Sequence, residues 1–107
     1  MADCIFCKIA AKELDSNIAH EDERFLVFHD IYPKAPLHLL IIPKRHIESI
    51  NHLKEEDKEL AGELLLTAKK MAEQNNLEGY KLQINVGKKG GQEVDHVHLH
   101  LLANKEE

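Results

Sequence analysis

The chain has 107 residues and a formal net charge of −5 with its eight histidines neutral. One domain of that size can bury its own core, and no apolar run of about 18 residues is present to cross a membrane. The acidic balance excludes a broad nucleic-acid-binding face, which needs clustered Lys and Arg, but leaves open a small phosphorylated ligand, which needs only a local cradle. The Met-Ala-Asp-Cys opening lacks the basic and apolar regions of a secretory signal, so a cytoplasmic location is expected.

Near the start, Cys4 and Cys7 stand at C-x-x-C spacing. In a cytosolic chain that spacing suggests zinc or redox chemistry rather than a structural disulfide. A redox motif wants a strand just before it, and zinc needs two more ligands. Two small buried thiols are the plainer alternative. Ile5, Phe6 and Ile9 form one apolar face of a helical turn expected to end near Leu14. Ser16 to Glu21 reads as a first strand and Arg24 to His29 as a second, joined by a turn at Glu21-Asp22-Glu23. Asp30 to Pro36 is a loop broken by two prolines. Leu37 to Ile42 reads as a buried strand stopped by Pro43, with the basic trio Lys44-Arg45-His46 after it.

Ser49 is placed to cap a short helix through His52, and Lys54 to Asn76 reads as the long helix. Its stripe of Leu60, Ala61, Leu64, Leu65, Ala68, Met71 and Ala72 follows helical periodicity. Leu66 lies opposite, which points to a second burial surface and a dimer formed through this helix; a lone exposed leucine is the bland alternative. Tyr80 to Val86 alternates as a strand. A glycine-rich turn, Val86 to Val94, feeds the next strand through Gly87-Lys88-Lys89-Gly90-Gly91-Gln92. Glycines let backbone N–H groups approach an anion closely, so this basic turn suggests phosphate chemistry. A short polar tail, Ala103 to Glu107, closes the chain. The sum is an α+β domain over residues 1–107, with five strands in a mainly antiparallel sheet, one long helix and a short N-terminal helix.

The strand after the turn is His96-Val97-His98-Leu99-His100-Leu101-Leu102. Alternation puts the three histidines on one face and Val97, Leu99 and Leu101 on the other. Imidazole titrates near neutrality, so three on one face offer a nucleophile, proton carriers or metal ligands. Packing alone explains them poorly, because each buried imidazole needs hydrogen bonds.

This run resembles the signature of the histidine-triad family: His, apolar, His, apolar, His, apolar, apolar. The resemblance extends through Asp-Cys-Ile-Phe-Cys-Lys-Ile at the start, Phe28-His29-Asp30-Ile31, Ile42-Pro43-Lys44-Arg45-His46-Ile47, Asn85 and Gly90-Gly91-Gln92. It looks most like the nucleoside phosphoramidase (Hint-like) branch in its bacterial zinc-binding form; the nucleotidylyltransferase branch has glutamine where this chain has His100. The resemblance implies a dimer that extends the sheet. It also implies cleavage of a purine nucleoside 5'-phosphoramidate, or a related aminoacyl-adenylate or dinucleotide, to AMP or GMP through a covalent nucleotidyl-histidine. His98 matches the nucleophile. His100 would bond phosphate oxygens, backbone N–H groups beside the triad would meet the developing charge, and His96 would help a proton relay. Each ring then needs an acceptor that fixes its tautomer.

By the same matching, Asp30 would hold the ribose. Ile5, Phe6, Ile9, Phe28, His29 and Ile31 would line the base pocket, and Asn85, Gly91 and Val94 would surround the phosphate. For the apolar residues a core role is equally natural. Cys4, Cys7, His46 and His96 would form a closed, structural Cys₂His₂ zinc site, with no cofactor needed for the chemistry. Three departures stand out. Glu93 replaces a serine that contacts the phosphate or leaving group; Asp95 replaces an aromatic residue and could accept a hydrogen bond from a triad imidazole; and little chain follows the triad. Two other functions stay open: a metal-dependent hydrolase with the triad as ligands, and a nucleotide-binding module with little turnover.

Overall fold

The apolar stretches pair into one antiparallel sheet in the computed structural model, which describes residues 4–104. Five strands lie in the order β1-β2-β3-β5-β4. They are β1 (Ile18–Glu21), β2 (Phe25–His29), β3 (Leu37–Pro43), β4 (Lys81–Gln83) and β5 (Leu99–Ala103), with helices α1 (Ile5–Ala10) and α2 (Lys58–Gln74). The sequence-derived fold class stands. The tail from Lys105 to Glu107 lies outside the described residues.

Strand alternation divides the apolar residues between two cores. Phe25, Val27, Leu37, Leu39, Ile41, Val97, Leu99 and Leu101 face α2 and pack with its Leu64, Ala68, Met71 and Ala72. Leu26, Phe28, Leu40 and Ile42 take the opposite face and pack with Phe6 and Ile9 of α1. Both faces of β3 are therefore covered, and all seven of its residues are buried.

Element ends differ from the sequence reading for local reasons. Helix α1 stops at Ala10, and Lys12 turns left-handed with φ +67°. The β1–β2 turn falls at Asp22–Phe25 instead of Glu21–Glu23, because the Asp22 carboxylate accepts the backbone N–H groups of Arg24 at 2.9 Å and Phe25 at 2.8 Å. Residues 55–57 form a tight 3₁₀ turn. There Asp57 accepts the Lys54 N–H at 2.9 Å and pairs with Arg45, so α2 proper begins at Lys58. Strand β4 is shorter than Tyr80–Val86, since the chain leaves the ladder at Ile84 for the glycine-rich loop. Of the α2 stripe, Leu65 stays 52% exposed, and Leu66 is 65% exposed.

The triad itself spans a boundary. Only His100 lies within the β5 ladder, where it sits opposite Leu40 of β3 and Gln83 of β4. His96 and His98 occupy the extended segment before it, pinned by the Val97 N–H to the Ile47 carbonyl at 2.7 Å.

Candidate functional site

The three rings share one face, as alternation requires, but their nitrogens have different tasks. The His98 Nδ1–H donates to the His96 carbonyl at 2.7 Å. In the neutral ring this leaves a lone pair on Nε2. Among the described residues Nε2 has no hydrogen bond, while every buried side-chain N or O there has a partner. Nε2 is therefore open to the cavity that His98 lines. The edge of Phe6 packs on the ring, with centroids 5.1 Å apart at 83°.

His100 is set by a residue that the sequence reading missed. The Lys34 backbone N–H donates to His38 Nδ1 at 3.1 Å, so His38 carries its proton on Nε2 and donates to His100 Nδ1 at 2.9 Å. His100 must then hold its own proton on Nε2, as a fixed donor facing the cavity. His38 cannot take a second proton at Nδ1, because the amide N–H already occupies it. The signal was present: His38 is a polar interruption of the apolar run Leu37 to Ile42.

Burial pushes both rings below the ordinary imidazole range. His100 falls to about 4, helped by the charges of His98, His38 and Lys34 and opposed by Asp30. His38 is lowered too, chiefly by burial, with Asp30 opposing and Lys34 assisting. Unfolded, each ring takes up a proton near 6.5, so the unfolded state binds more protons below that value. The stability these rings contribute is complete above pH 6.5 and is lost as pH falls toward 4. The melting temperature should drop across that window, and more gently in His100→Gln. Calorimetry at stepped pH checks this, and identical profiles for the two proteins would contradict it.

His96 is wholly buried, and its ring does not reach the cavity. Nε2–H donates to the Pro43 carbonyl at 2.8 Å, so Nδ1 keeps a lone pair. That lone pair faces Cys4 Sγ at 3.3 Å and Cys7 Sγ at 3.5 Å, and His46 Nδ1 lies 3.2 Å from Cys7 Sγ. The sequence-derived relay role for the His96 ring is thus not supported; its link to His98 is its main-chain carbonyl. Nor does Asp95 act as an acceptor for the triad. It makes no hydrogen bond among the described residues, and main-chain carbonyls of Pro43 and His96 take the ring protons instead.

Cys4, Cys7, His46 and His96 place one ligand atom each within 4.8 Å of one another and could hold a metal ion. Tetrahedral zinc with bonds of about 2.3 Å to sulfur and 2.0–2.1 Å to nitrogen sets S···N separations of about 3.5 Å. The S···N distances of 3.2–3.5 Å come close to this. The donor set therefore fits a closed site. Burial and the neighbouring Cys4 raise the Cys7 thiol to about 11, a trend that a bound cation reverses by favouring thiolate.

The glycine-rich loop is tied to itself and does not present its lysines to the site. Gln92, buried, accepts the Gly87 N–H at 2.8 Å and donates to the carbonyls of Glu48 and Val94 at 2.8 and 2.9 Å. Lys88 and Lys89 are exposed and do not line the cavity beside His98. Gly91 does line it. Its φ of +90° favours glycine, and a Cβ there would sit 3.1 Å from Asn85 Nδ2, close enough that the amide would have to shift. Asn85 is held by Gln83 Nε2 at 3.2 Å and by the Gly90 carbonyl at 2.8 Å.

The other sequence-derived positions separate into core and rim. Phe6, Ile9 and Phe28 are buried together, with Phe6 and Phe28 edge to face at 5.5 Å, and Val94 packs against that cluster. His29 is half-buried, whereas Ile5 and Ile31 are exposed, Ile31 by 78%. Asp30 accepts the Tyr32 N–H on Oδ1 at 2.8 Å and sets Oδ2 3.5 Å from His38 Nε2. Among the described residues Glu93 is the only carboxylate lining the cavity.

Known proteins share this chain's sequence pattern and fold. Residues 3–107 match the family model described as scavenger mRNA decapping enzyme C-term binding. The chain is 48% identical over 103 residues to protein HitA of Neisseria gonorrhoeae, covering 95% of this chain and 96% of that one. It superposes on a HIT family hydrolase of Legionella pneumophila with a TM-score of 0.92 at 50% identity, covering 94% of this chain and 92% of that one. A histidine triad protein of Clostridium difficile gives 0.94 at 38% identity, over 100% of this chain and 95% of that one. With its His96-Val97-His98-Leu99-His100 face intact, the chain belongs to the histidine-triad (HIT) family.

Proposed function

We propose that the protein is a hydrolase that cleaves purine nucleoside 5'-phosphoramidates, or related adenylates, to the nucleoside monophosphate through a nucleotidyl-His98 intermediate. The observation that carries this is the His98 tautomer: Nδ1–H is engaged by the His96 carbonyl, and Nε2 opens to the cavity. In the first step the Nε2 lone pair forms an N–P bond. The P–N bond to the leaving amine breaks with its electron pair on nitrogen, which takes a proton from solvent. The His96 carbonyl favours the positive charge gained by the His98 ring. His100 donates Nε2–H to a phosphoryl oxygen as a neutral ring, a preorganised electrostatic role. Water then attacks phosphorus and gives up a proton to solvent, the N–P bond breaks with its electron pair returning to Nε2, and the monophosphate leaves.

Asp30 is the group we assign to the ribose hydroxyls. Phe6, Ile9, Phe28, His29, Ile5 and Ile31 are assigned to the base, and Asn85, Gly91, Glu93 and Val94 to the surroundings of the phosphate and leaving group. Zinc on Cys4, Cys7, His46 and His96 would be structural and would take no part in the steps above. A homodimer that extends the sheet across the β4 edge fits Tyr80, Leu82, Leu65 and Leu66, all left exposed. Incubation with adenosine 5'-phosphoramidate should release AMP and ammonia in equal amounts. No AMP above the protein-free rate would contradict the reading.

A metal-dependent hydrolase using the triad as ligands is disfavoured by one fact. The triad nitrogens do not converge: the His96 ring is spent on Pro43 and the cysteines, and His98 Nδ1 on a carbonyl.

A further inference from the structure

The cavity of about 450 Å³ at His98 and His100 does not end at these two rings. It follows the site face of β5 past His100 to Leu102 and Asn104. Strand β4 runs alongside, with Gln83 paired to His100 and Lys81 paired to Leu102. The loop residues Lys34 to Pro36 line it as well, and Asp30 is not among its walls.

Charge is distributed unevenly along this space. Glu93 stands beside Gly91 near His98, whereas Lys81 on β4 stands opposite Leu102, which is one same-face step of about 6.8 Å beyond His100. Lys34 joins it, close enough for its charge to disfavour protonation of His38 and His100. Neither ammonium has a carboxylate partner among the described residues, whereas Lys12, Lys44 and Lys69 all do. Two uncommitted cations at the far end and one anion at the near end disfavour negative charge next to phosphorus and favour it farther out.

We infer that this cavity is a leaving-group subsite for an anion, a carboxylate or a second phosphate, carried at the far end of the leaving group and met by Lys81 and Lys34. The inference rests on the phosphoramidase reading above and specifies its substrate class. A neutral or cationic amine gains nothing from these lysines, so selectivity would come from the far end of the leaving group.

The test uses the full-length protein and four adenosine 5'-phosphoramidates. One releases ammonia. Three release amines of equal length that end in a methyl, a carboxylate or a phosphonate group. The wild type should process a charged-ended substrate about 5–10-fold better in kcat/KM than the methyl-ended one, as two partly exposed ion pairs allow, and added salt should shrink the preference. The anion preferred separates carboxylate from phosphate. In the Lys34→Ala, Lys81→Ala double variant the ratio should fall toward one, and Lys81→Arg should restore part of it over Lys81→Ala. An equal rate for all three amines in the wild type, or a ratio unchanged in the double variant, overturns the subsite. So does a loss confined to AMP binding itself, which would place the nucleoside there. Failure to cleave any of the four, including the parent phosphoramidate, instead overturns the phosphoramidase reading beneath it.

Discussion

His98→Ala should lower AMP release from adenosine 5'-phosphoramidate by at least about 10³-fold, the scale on which removal of a covalent nucleophile acts. The substitution deletes the only triad nitrogen that has both a lone pair and access to the cavity. His100 cannot replace it, because its cavity-facing Nε2 holds a proton and its Nδ1 accepts from His38. His96 cannot either, because its ring is turned to Pro43 and the cysteines. Binding of AMP should persist in the variant, since His100, Asp30 and the apolar residues remain. Turnover measured beside product affinity separates the two effects. A His98→Ala protein that still turns over within tenfold of the wild type would remove the nucleophile from the account.

With zinc on Cys4, Cys7, His46 and His96, as proposed, chelation should lower the melting temperature by about 15–30 °C. The estimate follows from linkage: a ligand at 1,000 times its Kd stabilises the fold by about 4 kcal/mol, and each kcal/mol shifts a domain of this size by about 4–8 °C. The size of the effect reflects what the site ties together. Cys4 and Cys7 belong to the start of α1, His46 follows β3, and His96 precedes β5. Without a cation, the raised Cys7 thiol and the lone pair on His96 Nδ1 are left to weak S···N contacts. Calorimetry with and without chelator, repeated on Cys7→Ser, measures the shift. Turnover assayed well below the lowered melting temperature should survive chelation. An unchanged melting temperature on chelation would argue for two half-buried thiols and nothing more.

Much of this was legible in the chain because strand alternation is a strict rule. Once His96, His98 and His100 alternate with Val97, Leu99 and Leu101, their shared face follows, and the apolar partners must point to α2. The Cys4-Cys7 pair was equally legible as a half-site. What alternation cannot give is the direction of a ring nitrogen. The roles of the three histidines differ because Pro43, His96 and Lys34 offer main-chain groups at particular points, and nothing in residue type announces a carbonyl. His38 was overlooked for a related reason. A single histidine in a buried strand has many ordinary explanations, and its partner His100 is 62 positions away. Lys88 and Lys89 misled in the other direction. Their loop has the composition of an anion cradle, but Gln92 and Asn85 already occupy several of its polar groups. The exposure of Leu65 and Leu66 could not be assigned from periodicity, since a wide helical stripe serves one core or two surfaces equally well.

Mass mapping of the protein quenched in acid-free denaturant during turnover of adenosine 5'-phosphoramidate tests the nucleophile directly. The account predicts an adenylyl group on the peptide containing residues 96–100, localised to His98 and absent from His98→Ala. Steady AMP release with no such adduct, or with the adduct on His96 or His100, would contradict it.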